Sequence, residues 1–201
     1  METDFYRIRE TFTLGDMERQ RQITIERLQR EGVWDINREN PLPQVVQRIA
    51  IVSSRQAAGY QDFCKELGKS PYAFSLTLFD AFMQGAGAED SIVAALDAVA
   101  DRMDDFDAVV LIRGGGSASD LNCFNAYRLC AQFPLPVITG IGHDKDTSVA
   151  DMVAHTALKT PTAVAGWLVE RMTGVEGWLD TAALQLRDAS AGIFRRHELR
   201  L

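Results

Sequence analysis

In the stretch LIRGGGSASDLNCFN, residues 111–125, an arginine precedes three successive glycines, and a serine and an aspartate open what reads as a helix. Such a turn suits phosphate. Glycine lets the backbone come close, and free N–H groups at a helix start point outward beside the positive end of the helix dipole. Gly114, Gly115 and Gly116, with Ser117, form the candidate cradle. The run is neither GxGxxG nor GxxxxGK(S/T), so neither a dinucleotide nor a nucleoside triphosphate is inferred. The plainer alternative is a tight turn needing positive φ, with Ser117 or Ser119 as helix cap. Arg113 weighs against it, because a guanidinium at the C-terminal end of a buried strand is costly unless something anionic meets it. Asp120 or a phosphate would serve.

A second turn, GIGHDKDTSVAD, places His143, Asp144, Asp146 and Asp151 after another apolar run. Histidine suits proton transfer near neutral pH, and an aspartate three residues away can orient the ring or hold a cation. The plainer reading is a loop histidine beside helix-capping aspartates. Asp62, in QAAGYQDFCKEL, reads from spacing as a solvated helix residue. His155 and His197 fall in helical patterns and read as surface or interface residues. Trp167 and Trp178 suit packing better than base stacking, and Thr160-Pro161-Thr162 reads as a helix start. Cys64, Cys123 and Cys130 lack metal-type CxxC spacing and read as buried thiols in a reducing compartment.

These residues need a scaffold that brings the two turns together. RIAIVSS (48–54), YAFSLTLFDAF (72–82), DAVVLIR (107–113) and PVITGIG (136–142) read as strands. Helices are expected after the first strand to about Leu67, over 87–103, from Ser119 to Phe133, from about Thr147 to His155, and from near Thr162 to Leu201. Near-continuous apolar strands alternating with helices indicate an α/β three-layer sandwich, flavodoxin- or Rossmann-like, with a mainly parallel sheet of about four strands and added N- and C-terminal helices. In open α/β sheets ligands gather outside the carboxyl ends of strands, so both turns should face one crevice. Upstream, residues 15–32 suit an exposed amphipathic helix that Gly32 stops, and residues 1–14 could form one strand. The expected organisation is a connector over 1–44, an α/β domain over 45–160 and a helical region over 161–201.

The chain has 201 residues, 46% of them hydrophobic and 24% charged, the composition of an ordinary globular protein. No apolar run is long enough for a membrane span, and the N-terminus lacks a signal peptide's hydrophobic region, so a cytoplasmic location is expected. A net charge of −7 argues mildly against nucleic acid over the whole surface, so any phosphate-binding site should be local to one cleft.

The order and spacing of RIAIVSS…AAGYQDF, MQGAGAEDSIVAAL, LIRGGGSASDLNCFN and PVITGIGHDKDTSVADMVAHTALKTPTAVA resemble the large subunit of exodeoxyribonuclease VII. TFTLGDMERQRQITIERLQREGVWDINRENPLP resembles the connection preceding that family's catalytic domain. The resemblance covers nearly the whole chain, and the combination of RGGGS, DL, FN, GH and TP is specific. It implies a nuclease that degrades single-stranded DNA from either end to oligonucleotides, working with many copies of a small helical subunit. It further implies a preceding OB-fold, of which residues 1–14 would be the last trace, and a following coiled coil that recruits the small subunit, with self-association of the large subunit expected. The family's proposed active residues carry over at Asp62, Arg113, His143 and Asp146. Asp144 stands where the family commonly has Glu or Gln, and Ala157 where many members have a basic residue that Lys159 could replace. Cofactor need is left open: clustered carboxylates suit Mg²⁺, with Asp62 and Asp146 as the candidate ligands, yet some family members work in chelator. Two other classes remain: a module that binds a phosphorylated ligand without chemistry, and an assembly piece that dimerises through its terminal helices.

Overall fold

The computed structural model describes residues 14–115, 118–126, 133–142 and 147–198. Helix α1, Leu14–Arg30, ends where expected, at Gly32, whose φ of +69° suits glycine. There the amide of Val33 bonds Leu28 O and that of Gly32 bonds Gln29 O, closing a Schellman motif over the last carbonyls. A single helical turn, α2 (Ile36–Glu39), follows.

The sheet is built from β1 (Arg48–Ser53), β2 (Ser75–Asp80), β3 (Ala108–Ile112), β4 (Val137–Gly140) and β5 (Thr156–Ala157), all parallel and in the order β2-β1-β3-β4-β5. Between the strands run α3 (Ala58–Leu67), α4 (Ala88–Ala100), a 3-10 turn at Met103–Asp105, a 3-10 helix at Ala118–Asn125 and α5 (Val149–Val153); α6 (Pro161–Glu198) follows the last strand. The three-layer α/β architecture is the expected one, with five strands rather than about four. The extra strand has two residues, too short for a periodic signal, and it falls beside His155, where a helix end is expected. His155 therefore lies between α5 and β5 instead of in a helix.

Alternation on β1 and β3 divides the core, as strand geometry requires. Ala50, Val52, Val109 and Leu111 face a layer formed by α4, α5 and Leu28 of α1, together with Phe124 of the 3-10 helix. Ile49, Ile51, Ala108, Val110 and Ile112 face α3 and the start of α6 through Phe63, Leu67, Val164, Ala165 and Leu168. Full burial of side chains of this size stabilises by about 1.5–3 kcal/mol each, which explains why strands covered on both faces read as unbroken apolar runs. Thr160 Oγ1 accepts the Ala163 amide at 3.1 Å and starts α6 at Pro161, as the Thr-Pro-Thr triplet predicts.

Three side-chain devices hold the ends of the sheet. At the N-terminal edge, Asp107 accepts from the backbone and guanidinium of Arg48 and from the Gln47 amide. Burial would raise the Asp107 carboxyl, but those hydrogen bonds and the Arg48 charge outweigh it and hold the group below the usual carboxylate range. On α2, Asn37 donates to Leu135 O at 2.7 Å and Phe133 O at 3.3 Å and accepts from the amides of Val137 (2.9 Å) and His155 (3.0 Å). One buried amide thus fixes the entries to β4 and β5. Asp151 is likewise buried, accepting from Thr139 Oγ1 at 2.6 Å and from Ser148 Oγ at 2.7 Å, and it completes a capping box with Ser148 at the start of α5. Its role in the described structure is to cap α5 and tie it to β4.

No helix among the described residues is long and apolar enough to cross a membrane. The first half of α6 packs on the sheet, whereas Trp178, Leu179, Leu184 and Leu186 further along it are exposed.

Candidate active site

The connection from β1 runs to β2 on one side and that from β3 runs to β4 on the other, so the topological switch point lies between the carboxyl ends of β1 and β3. This is where open α/β sheets part their connections and admit ligands. A cleft of about 330 Å³ occupies that place, lined by Ser54, Gln56, Ala57, Ala58, Phe82, Met83, Gln84, Arg113, Gly114 and Gly115.

Its floor follows from local sequence. After β1 the chain turns tightly, with the Ala57 amide on Ser54 O, and Asp80 at the end of β2 accepts the Arg55 amide at 2.8 Å. Helix α3 then begins with Ala57 as N-cap and no side-chain cap. An α-helix leaves its first N–H groups without intrahelical partners. Here the amides of Tyr60 and Gln61 turn back to Ala57 O, which leaves those of Ala58 and Gly59 as the donors of an uncapped start, beside the positive pole of the helix.

The adjoining wall is the turn after β3. Arg113 is only 6% exposed and lines the cleft. A guanidinium cannot shed its charge, so a positive group is buried beside this cleft. Gly114 and Gly115 follow it, and among the described residues positive φ occurs only at Gly32 and Gly85. Gly114 and Gly115 are therefore glycine for closeness or clearance, not for a left-handed turn. A Cβ on Gly114 would stand 3.3 Å from Gly59 N, whereas one on Gly115 would meet nothing within 4 Å.

Of the residues singled out from sequence, Arg113, Gly114 and Gly115 converge on this cleft. Asp62 lies exposed on α3, one turn beyond the helix start. Gly116, Ser117, His143, Asp144 and Asp146 lie outside the described residues, as do Cys130 and the side chains of Asp120 and Ser119. Of the helix expected from Ser119 to Phe133, the described part is a 3-10 helix over Ala118–Asn125, which buries Phe124 and uses Asn125 Oδ1 to accept the Val149 amide at 2.9 Å, and 127–132 lie outside the described residues. Cys64 and Cys123 are free thiols and only partly buried, less than expected. Trp167 packs with the core, its ring 5.8 Å from the Arg171 guanidinium, and Trp178 is exposed. His155 is half-buried, its Nδ1 at 2.9 Å from Thr156 Oγ1. Burial, then the charge of Arg171, lowers its pKa.

Sequence reasoning missed two parts of the cleft. The uncapped start of α3 was legible in SSRQAAGY, where a strand passes into a helix through small residues with no Ser, Thr, Asp or Asn at the cap. Phe82, read as a strand end, and Met83 and Gln84, which open the MQGAGAEDSIVAAL motif, were not singled out as site residues. Among the described residues no group of three His, Cys, Asp or Glu side chains comes together as a metal site.

A family model described as the exonuclease VII large subunit matches residues 33–201. The chain is 42% identical over 143 residues, 70% of its length, to the exodeoxyribonuclease 7 large subunit of Cyanothece sp.. It is 32% identical over 179 residues, 87% of its length, to that of Campylobacter lari, and 38% identical over 143 residues, again 70%, to that of Lacticaseibacillus casei. These alignments cover 34%, 46% and 31% of the respective relatives, so the chain spans less than half the length of the proteins it matches.

Proposed function

This chain belongs to the exonuclease VII large-subunit family, and we propose that it is the segment that hydrolyses phosphodiester bonds in a nuclease acting on single-stranded DNA from both ends. The observation that carries the reading is the buried Arg113 at the carboxyl end of β3, which lines the switch-point cleft together with the uncapped start of α3 packed against it.

A scissile phosphate in that cleft would meet the Arg113 guanidinium, the Ala58 and Gly59 amides at the positive helix pole, and the backbone of Gly114 and Gly115. Donors fixed in advance where charge grows on phosphorus are worth about 3–4 kcal/mol each in transition-state stabilisation. Gly116 and Ser117 extend the same cradle. His143 activates water or protonates the leaving oxygen, and Asp146 orients its ring. Asp62, exposed on α3 one turn beyond the helix start, is the carboxylate that with Asp146 would hold a cation. Asp62 and Asp146 are the candidate Mg²⁺ ligands, since that ion needs only one or two carboxylates beside substrate phosphate.

The whole protein would act as an assembly: a small subunit and a further copy of the large subunit are the partners proposed, and the exposed Trp178, Leu179, Leu184 and Leu186 of α6 support a partner-facing helix. The test is release of short oligonucleotides from single-stranded DNA labelled at either end, by the full-length subunit co-expressed with its small subunit, beside His143→Ala, with and without EDTA. Cleavage by the wild type from both ends that is lost in the variant is the expected result, and the EDTA arm reports metal dependence. Normal cleavage by His143→Ala removes that residue from the chemistry. Saturation of the cleft by a small phosphorylated ligand without any strand cleavage would replace the nuclease reading with a binding module.

A further inference from the structure

One large apolar side chain on the cleft wall is left exposed. Phe82 is 70% exposed, yet its neighbours Ala81 and Met83 are 4% and 5% exposed, and all of Phe82, Met83 and Gln84 but Ala81 line the cleft. Its mount is fixed at two points: the Ala81 amide bonds Ser53 O at 3.0 Å and the Phe82 amide bonds Ser91 Oγ at 3.0 Å. A scattered exposed apolar residue on a convex surface needs no explanation. Phe82 instead stands in a concave site that Arg113 and the start of α3 also line. Strand order puts it two strands from Arg113, roughly 10 Å at ordinary strand spacing.

Resting on the nuclease reading above, we propose that Phe82 is the base-stacking platform of this cleft, a positioning residue that holds a nucleobase while Arg113 and the start of α3 hold a phosphate. An aromatic face accepts any base, because every base has a π-face, and it accepts one only after that base has left its neighbours in a duplex. Stacking on Phe82 therefore gives both sequence tolerance and preference for single strands. Gln56 and Gln84, which line the same cleft, supply amide groups beside the ring without a charge that would repel the DNA backbone.

The test compares binding of short oligothymidylate with that of an abasic oligomer of equal length, both carrying phosphorothioate linkages, by the full-length large subunit in complex with its small subunit. The wild type should bind the base-bearing strand on the order of tenfold more tightly than the abasic one, from the usual strength of base–aromatic stacking. Phe82→Ala should lose that preference with abasic binding unchanged, and Phe82→Trp should keep it. A merely structural role would weaken both ligands together and would not be rescued by tryptophan. If Phe82→Ala keeps the full preference, the platform is elsewhere and the proposal fails while the nuclease reading stands. If the wild type binds neither oligomer and cuts no DNA, the nuclease reading itself fails, and the stack with it.

Discussion

The backbone of Gly59 lies directly against that of Gly114: a Cβ on Gly59 would stand 2.9 Å from Gly114 Cα and N and 2.8 Å from Arg113 O. The start of α3 and the turn after β3 are thereby one unit, and the cationic side chain, the helix pole and the glycine turn hold fixed distances. All three clashing atoms are backbone, so no side-chain rotation relieves them.

Gly59→Ala is accordingly expected to cost about 2–3 kcal/mol, the upper part of the range for overpacking, and to open the cleft. Gly115→Ala, which meets nothing within 4 Å, should leave stability within about 0.5 kcal/mol of wild type. Urea denaturation of the two variants side by side measures the contrast, and equal midpoints would contradict the close approach.

Arg113→Lys keeps the charge and loses the planar fork. On the proposed chemistry it should lower kcat by about 10²–10³ while KM changes far less, because the lost contact forms in the transition state. A rise confined to KM would reassign Arg113 to ground-state binding.

Asn37 satisfies four backbone groups with one buried amide. Asn37→Ala should destabilise by roughly 3 kcal/mol, since it leaves buried donors and acceptors unmet. Asn37→Asp should also destabilise, because a carboxylate cannot donate to Leu135 O and Phe133 O. A thermal melt unchanged in both variants would show that water replaces the amide.

The His155 ring, held below its ordinary pKa by burial and by the charge of Arg171, binds its proton more readily in the unfolded chain. Its contribution to stability is therefore complete above about pH 6.5, the unfolded value, and is lost as pH falls through the lower folded value. Urea midpoints across this window should decline with acid in the wild type and decline less in His155→Gln. An identical slope in both would remove His155 as a source of the dependence.

Ser53 Oγ is buried at the end of β1 with no hydrogen-bond partner among the described residues. Ser53→Ala should leave stability unchanged or raise it by about 1 kcal/mol, because the hydroxyl is desolvated without return. A clear loss of stability would reveal a partner for it.

How much of this was legible beforehand differs by element. The doubly covered strands announced themselves because burial on both faces permits only apolar residues, and Gly32 and Thr160 announced helix ends because few residue types satisfy those positions. The part of the expected Ser119–Phe133 helix that the structure describes, through Asn125, is 3-10 rather than α because an apolar periodicity does not distinguish a regular helix from the 3-10 turns that seat Phe124 in the core. β5 was missed because two residues joined to β4 by long-range hydrogen bonds leave no local pattern.

The same division holds for the site. Local chemistry determined what the sequence alone could: a guanidinium followed by glycines at a strand end, in an order that fits one family. That the start of α3 lies against the backbone of Arg113 was decided by tertiary structure, through the close contact of Gly59 with Gly114. The exposed ring of Phe82 likewise gained its meaning only when strand order placed the end of β2 on the same rim as the ends of β1 and β3. Contacts between residues distant in the chain depend on how the sheet is wound, and no periodicity along the sequence records that.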